Sequence, residues 1–216
     1  MSQEEYSENS KSTELELSQL ELDSRIDEIR EIGGVHIPSV LTIEQSAKLI
    51  FELESAQFTA IDQKYEVVRE KSSIFEISLP SEQYPVIDWL SRQLVNQVGH
   101  QAPELGAWVP NEATVMRYES KDSGISPHRD MGYNYGLIAV FTLEGSATLS
   151  VLLDESDIKG DRDTFHPLRR FRAGPGSLTL LRGDNFPGTD EQPALHAITA
   201  PEEGTRTSVS FRMLSE

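Results

Sequence analysis

The sequence predicts an α+β fold that is mainly β, in which N-terminal helices support an antiparallel sandwich or barrel, with a jelly roll among the options. From Ala113 onwards, seven or eight short runs rich in β-branched and aromatic residues follow one another. Gly, Pro, Asn and Asp separate these runs, and no long helical pattern lies between them. Before Ala113, apolar residues recur at helical spacing in two places.

The N-terminal 32 residues are strongly acidic. They contain ten acidic residues against three basic ones, so they contribute −7 to the formal net charge of −17. Residues 1–13 lack periodicity and are expected to be a disordered tail. The apolar residues within 14–31 have partial helical spacing, which is compatible with a docked surface helix, a lid or a solvated acidic leader.

We therefore expect an acidic segment at 1–32 and a single domain at 33–216 whose β core spans about 113–213. Gly33 and Gly34 are expected to end the acidic segment.

Two helices and one strand are expected between the acidic segment and the β-rich half. Val35–Ile37 is predicted to be a short strand. Thr42 is a candidate N-cap for a helix that extends to Leu53. Residues 84–98 have apolar positions at helical spacing and predict a second helix. Residues 60–77 have a mixed pattern that we leave unassigned.

The β-rich half contains clear turn signals between its strands. Glu144-Gly145 predicts a hairpin, and Gly174-Pro175-Gly176 predicts another turn. The predicted strands are 113–118, 136–143, 147–153, 168–172, 177–181, 194–199 and 205–213.

Composition excludes several classes of protein. Hydrophobic residues at 37% and charged residues at 25% are typical of a soluble globular protein. The absence of Cys excludes disulfides, thiolate zinc sites and iron–sulfur clusters, so any metal must be held by His, carboxylate or water. No apolar run approaches the roughly 20 residues needed to cross a bilayer, and we expect a cytoplasmic protein without a membrane partner. The charge of −17 disfavours nucleic acid.

The main chemical candidate is a set of two histidines and one aspartate. If the segment up to Asp130 is extended, His128 and Asp130 lie on the same face, because strand side chains alternate. A third metal ligand must then come from another strand, and His196 lies in such a run. Two imidazoles and one carboxylate leave open positions on an octahedral metal, which is typical of non-haem Fe(II) oxygenases.

A second candidate is the polar face of the last predicted strand. Arg206, Ser208, Ser210 and Arg212 alternate with more apolar residues. Such a stripe is unusual for an interior face unless it binds an anion, and guanidinium groups match carboxylates well. Tyr118 is expected to add a hydrogen bond from a neighbouring strand.

On these residues, the chain from about 113 to 213 resembles the Fe(II)- and 2-oxoglutarate-dependent dioxygenases, which have a double-stranded β-helix (jelly roll) fold. The resemblance implies Fe(II) held by His128, Asp130 and His196, with O2 as the other substrate. It also implies 2-oxoglutarate held by Arg206 with help from Ser208 and Tyr118, and Arg212 as the alternative anchor. The implied reaction yields succinate and CO2 and hydroxylates a C–H bond.

The branch within this superfamily is left open between prolyl-hydroxylase-like and AlkB-like enzymes. The Arg206/Arg212 spacing and the segment Met116-Arg117-Tyr118 resemble the AlkB-type branch, but Met116 stands where that branch has Asn. Together with the acidic charge, this favours a small-molecule or peptide substrate over oxidative demethylation of nucleic acid. Asp130 argues against halogenation, because halogenating relatives have a small residue there.

Two readings without 2-oxoglutarate remain as alternatives: a cupin-like metal enzyme and a non-catalytic jelly-roll binding module. The oligomeric state is not predicted. The candidate substrate contacts are Arg129, Met131, Tyr133 and Tyr135.

Overall fold

The computed structural model describes residues 17–65, 68–130, 134–152 and 165–215. These residues contain the helices α1 Ile26–Ile32, α2 Ile43–Glu52 and α3 Pro85–Gln101, with short 3₁₀ turns at Leu22–Ser24 and Pro103–Leu105. The strands within the described residues are β1 Gly34–Ile37, β2 Thr59–Tyr65, β3 Val68–Ser78, β4 Glu112–Tyr118, β5 Gly124–His128, β6 Leu137–Glu144, β7 Ala147–Leu152, β8 Arg169–Ala173, β9 Leu178–Arg182, β10 Leu195–Ile198 and β11 Arg206–Arg212.

The strands form antiparallel ladders in the order β1-β9-β6-β11-β4-β3-β5-β10-β7-β8, and β2 pairs with β3. The long strand β3 joins two layers, because its C-terminal half pairs with β4 while Glu70 and Lys71 pair with β5. One layer contains β1, β9, β6, β11 and β4, and the other contains β5, β10, β7 and β8. The predicted mainly β fold, a jelly roll with N-terminal helices, is confirmed.

Two apolar clusters lie on opposite sides of the first layer. The larger one packs the helices against that layer, and Phe141, Val209 and Phe211 belong to it. The smaller one lies between the two layers and contains Ile138 and Leu149. Alternation along β6 therefore sends one side chain to the helices and the next into the interior of the jelly roll. The interior is the side on which a ligand can be enclosed.

The helices begin as the sequence predicts. Thr42 caps α2 in a capping box with Gln45: the Thr42 hydroxyl accepts from the Gln45 backbone N–H, and the Gln45 side chain accepts from the Thr42 N–H. Helix α3 has Pro85 in its first turn, where a missing N–H costs nothing. The Glu52 carboxylate accepts hydrogen bonds from two N–H groups at the start of α3 and so ties α2 to α3. None of the described helices is long and apolar enough to cross a membrane.

The described part of the acidic segment packs on the domain. Leu20, Leu22 and Ile29 are fully buried in the larger cluster, and side chains of α3 hold the backbone of this segment, as where Gln97 accepts from the Leu20 N–H. From residue 17 onwards, the apolar side chains of this segment are therefore removed from water. The α-helix is shorter than the 14–31 pattern suggested, and it ends at Gly33 with φ 97°. The predicted tail, 1–13, lies outside the described residues.

The mixed region at 60–77 forms the antiparallel hairpin of β2 and β3. Its pattern was ambiguous because most of its side chains are only half-buried or exposed on both faces, so polar and apolar residues do not alternate. The hairpin extends beside the interior of the jelly roll, next to β4 and β5.

Candidate metal centre and anion site

His128, Asp130 and His196 come together in the structure. Each offers one potential ligand atom, and these atoms all lie within 4.8 Å of one another. His128 ends β5 and is directly opposite His196 in the antiparallel β5–β10 pair, with 4.3 Å between the ring centroids. The His128 Nε2 and Asp130 Oδ1 atoms are 3.6 Å apart. The same three residues were predicted from the sequence to be a metal centre.

A glycine allows β5 and β10 to approach this closely. Gly124 begins β5 with φ 136°, and a Cβ at this position would lie 2.6 Å from the Ile198 carbonyl oxygen. Both the backbone conformation and the close contact require glycine here. The pairing that places the two histidines opposite each other therefore depends on a residue with no side chain.

The hydrogen bonds of both imidazoles leave the same nitrogen free for a metal. His128 Nδ1–H donates to the Ser126 carbonyl at 2.9 Å, and His196 Nδ1–H donates to the Ala194 carbonyl at 3.0 Å. Because a carbonyl only accepts, each Nδ1 must bear a proton, so Nε2 is the nitrogen of each ring that can bind a metal. Burial and the neighbouring His128 lower the pKa of His196 to about 4, so its ring is neutral at pH 7.

Asp130 is ionised and held by Arg212. Burial of the carboxyl raises its pKa, but the positive charge of Arg212, together with the two neighbouring histidines, outweighs burial and holds the pKa well below its ordinary range. Arg212 Nη2 lies 3.8 Å from Asp130 Oδ2. Two imidazoles that present Nε2 and one carboxylate form a donor set that suits a divalent transition metal.

Arg212 is itself held in place from β4. Its Nη1 donates to the Thr114 hydroxyl at 3.1 Å, and that hydroxyl donates to Glu112 Oε1 at 3.1 Å. Arg212 therefore lies beside the metal cluster and bridges Asp130 to β4. The sequence analysis did not predict these roles of Thr114 and Glu112. Both residues alternate with their neighbours along β4 on the same face as Tyr118, which was the one local sign that they face the site.

Arg206 is a buried cation that has no anionic partner in the part of the chain that the structure describes. It is 2% exposed, and it donates to the Ser208 hydroxyl at 3.1 Å and to the Thr142 hydroxyl at 3.0 Å. Its Nε has no hydrogen-bond partner, and no ion pair of Arg206 occurs among the described residues. Burial lowers the pKa of this guanidinium. Because an unpaired buried charge is costly, this arrangement is suited to accept an anion.

Tyr118 lies directly opposite Arg206 in the β4–β11 ladder. The Arg206 guanidinium lies 5.5 Å from the centre of the Tyr118 ring, and the Tyr118 hydroxyl contacts Met116 Sδ at 3.4 Å. Burial raises the pKa of Tyr118 to about 12, so the phenol remains neutral and can donate a hydrogen bond. The structure thus brings Tyr118, Arg206 and Ser208 together. Thr142 on β6 was missed, because cross-strand register is not visible in local sequence.

The structure describes two of the four candidate substrate contacts, Arg129 and Tyr135. Arg129 donates from Nη1 to the Pro193 carbonyl, which lies in the loop before β10. Tyr135 is 38% exposed, and its N–H donates to the Met213 carbonyl. Met131 and Tyr133 lie outside the described residues.

Comparison with known proteins reveals similarity in structure alone. No protein-family model matches the chain, and no match was found among curated proteins. A prolyl hydroxylase from Trichoplax adhaerens, solved with a hypoxia inducible factor peptide fragment, aligns with TM-score 0.61 and 13% identity over 89% of each chain. A 2OG-Fe(II) oxygenase family oxidoreductase from Burkholderia pseudomallei aligns with TM-score 0.63 and 13% identity, over 87% of this chain and 88% of that one.

The third similar structure is SnoN, a non-haem α-ketoglutarate-dependent epimerase from nogalamycin biosynthesis. It aligns with TM-score 0.60 and 15% identity, over 90% of this chain and 83% of the epimerase. These three proteins carry different names, yet each aligns with most of this chain. The chain therefore has the double-stranded β-helix fold of the 2-oxoglutarate- and Fe(II)-dependent oxygenases.

Proposed function

We propose that the protein is an Fe(II)- and 2-oxoglutarate-dependent dioxygenase that hydroxylates a C–H bond of a small molecule or a peptide. The observation that carries this proposal is the buried Arg206 guanidinium, which has no anionic partner among the described residues and lies in the same interior as the His/Asp/His cluster. A dicarboxylic cosubstrate supplies the missing anion. In a metal enzyme that uses no such cosubstrate, nothing would offset the cost of burying the Arg206 charge.

The metal would be held by the Nε2 atoms of His128 and His196 and by the Asp130 carboxylate. The free Nε2 lone pairs and the ionised carboxyl fit this role. Bound Fe(II) supplies the activation of O2 that is coupled to oxidative decarboxylation of 2-oxoglutarate. Three protein ligands leave positions for the cosubstrate and O2.

Arg206, Ser208, Thr142 and Tyr118 would bind the carboxylate of 2-oxoglutarate that lies away from the metal. The guanidinium offers its unpartnered Nε and charge, while the two hydroxyls that it contacts fix its orientation. Tyr118 contributes a neutral phenol donor. Burial of these groups excludes water from the carboxylate and strengthens each hydrogen bond.

Arg212 would act on Asp130 rather than on the far carboxylate of the cosubstrate. Its 3.8 Å approach to Asp130 Oδ2 keeps the carboxyl ionised and fixes its orientation. This role differs from the alternative anchor that the sequence suggested, and it follows from the position of Arg212 at the opposite end of β11 from Arg206.

Charge and the similar structures support a small-molecule or peptide substrate. The formal charge of −17 repels phosphate backbones. One similar structure was solved with a peptide fragment, and another is an epimerase of a biosynthetic route. We propose that the exposed Tyr135 contacts the substrate, and that Met131 and Tyr133, which lie outside the described residues, do so too. All three residues follow Asp130 closely in the chain.

A screen of metabolites and peptides, monitored by succinate release with Fe(II), 2-oxoglutarate and O2, tests this function. A true substrate raises succinate formation in step with a product that has gained one oxygen atom. The Asp130→Ala variant serves as the control and should release no succinate above background. Product formation that persists when 2-oxoglutarate is omitted would favour the cupin-like alternative.

A further inference from the structure

Helix α2 exposes an apolar stripe to solvent. Ile43 is 84% exposed and Phe51 is 72% exposed, and the exposed Ala47 lies between them at the same four-residue spacing. This spacing places the three side chains on one helix face. The opposite face, with Leu49, is buried against the domain. The capping box and the link from Glu52 to α3 hold the helix rigidly, so the stripe is a fixed feature of the surface.

The stripe borders a groove of about 450 Å³. Its far wall consists of the end of β6, with Leu143 and Glu144, and the turn at Pro175–Gly176. The groove lies on the helix side of the first layer, whereas Arg206 and the metal cluster face the interior. A molecule bound there would not contact the reacting groups.

The groove has acidic flanks. Glu54 and Glu144 line the groove, and the exposed Glu44 follows Ile43 on α2. Glu144 accepts a hydrogen bond from the Thr207 hydroxyl, and no ion pair of these three carboxylates occurs among the described residues. Lys48 is the one basic residue of α2. Exposed apolar residues beside carboxylates that have no cationic partner among the described residues fit an apolar segment that also carries Lys or Arg.

The charge pattern argues against the other occupants. A second copy would bring these carboxylates towards its own in a chain of formal charge −17. A helix that lies on a membrane carries basic residues beside its apolar face, which is the reverse of this arrangement. The parts of this chain outside the description are themselves acidic: residues 1–16 contain five acidic residues against one basic, and residues 153–164 contain five against two.

We propose that this groove, independently of the proposed activity, is a docking site for a segment of another protein that presents apolar side chains flanked by Lys or Arg. Ile43 and Phe51 supply the apolar contact, and Glu44 and Glu54 supply charge complementarity.

The test uses the full chain and two synthetic helical peptides with the same leucine pattern, one with lysines and one with glutamates at the polar positions. Isothermal titration calorimetry should show one-to-one binding of the lysine peptide and no binding of the glutamate peptide. The double variant Ile43→Ser/Phe51→Ser should weaken binding about tenfold or more, because it removes the central apolar anchors. Both residues are exposed, so thermal unfolding should be unchanged.

A matched pair of charge variants separates docking from general attraction to an acidic protein. Glu44→Gln/Glu54→Gln should weaken binding and reduce its salt dependence, whereas Asp23→Asn/Glu31→Gln, which removes the same charge from exposed positions elsewhere, should not. Equal binding by wild type and Ile43→Ser/Phe51→Ser would overturn the proposal. So would self-association in sedimentation, or binding to phosphatidylserine vesicles, that this apolar variant abolishes.

Discussion

The two faces of strand β11 differ sharply in chemistry although they share one backbone. Val209 and Phe211 face the helices, are fully buried, and belong to the larger apolar cluster, where the Phe211 ring meets Phe141 edge-on at 5.9 Å. Arg206, Ser208 and Arg212 face the interior and form hydrogen bonds with other polar groups. Alternation along a single strand thus separates residues that stabilise the fold from residues that bind ligands.

The difference teaches where stability and function can be changed independently. The helix face contributes apolar burial, the main favourable term in folding. The interior face contributes buried charge that the described residues satisfy incompletely, since the Nε atoms of Arg206 and Arg212 have no partner. Changes on the helix face should therefore unfold the protein, and changes on the interior face should remove binding while the fold remains.

The largest expected effect is on the helix face. Phe211→Ala removes a fully buried ring and should lower the free energy of unfolding by about 3–5 kcal/mol in denaturant titrations. Metal binding by the fraction that remains folded should match wild type. A loss below about 1 kcal/mol would show that this face does not hold the helices to the sheet.

The next effect concerns the metal ligands. Asp130→Ala removes the carboxylate of the His/Asp/His cluster and should weaken Mn(II) binding about 100-fold or more in calorimetric titrations, while the denaturant midpoint stays close to that of wild type. Asp190→Ala, at an exposed aspartate outside the cluster, is the matched control and should bind Mn(II) normally. If Asp130→Ala binds one equivalent of Mn(II) with wild-type affinity, Asp130 is not a metal ligand.

How much of this could be predicted depends on the range of the interaction. Strand alternation and chain order were enough for His128, Asp130, His196 and the polar face of β11, because both are local properties. Thr142 and Thr114 were not predicted, since their roles depend on which strands are neighbours and in what register.

The packing of the acidic segment and the β2–β3 hairpin could not be predicted from local sequence patterns either. Burial of Leu20 and Leu22 requires α3 as a partner, and the hairpin lacks a buried face of its own. Both elements are defined by contacts between distant parts of the chain, which periodicity within one segment cannot report.

A smaller effect is expected one contact further from the metal. Thr114→Val keeps the shape of the side chain but removes the hydroxyl that links Arg212 to Glu112, and it should weaken Mn(II) binding about tenfold through Asp130. Thr114→Ser retains the hydroxyl and should bind as wild type. Equal affinities for the Val and Ser variants would show that the hydroxyl does not position the metal ligand.

The most direct test of the central claim is calorimetric titration of 2-oxoglutarate into the Fe(II)-loaded protein without O2, comparing wild type with Arg206→Met. Wild type should bind one equivalent, and the variant should lose about 100-fold in affinity because the buried cation is gone. Its free energy of unfolding should not fall, since an apolar side chain replaces an incompletely paired charge. Binding of 2-oxoglutarate to Arg206→Met with wild-type affinity would contradict the account.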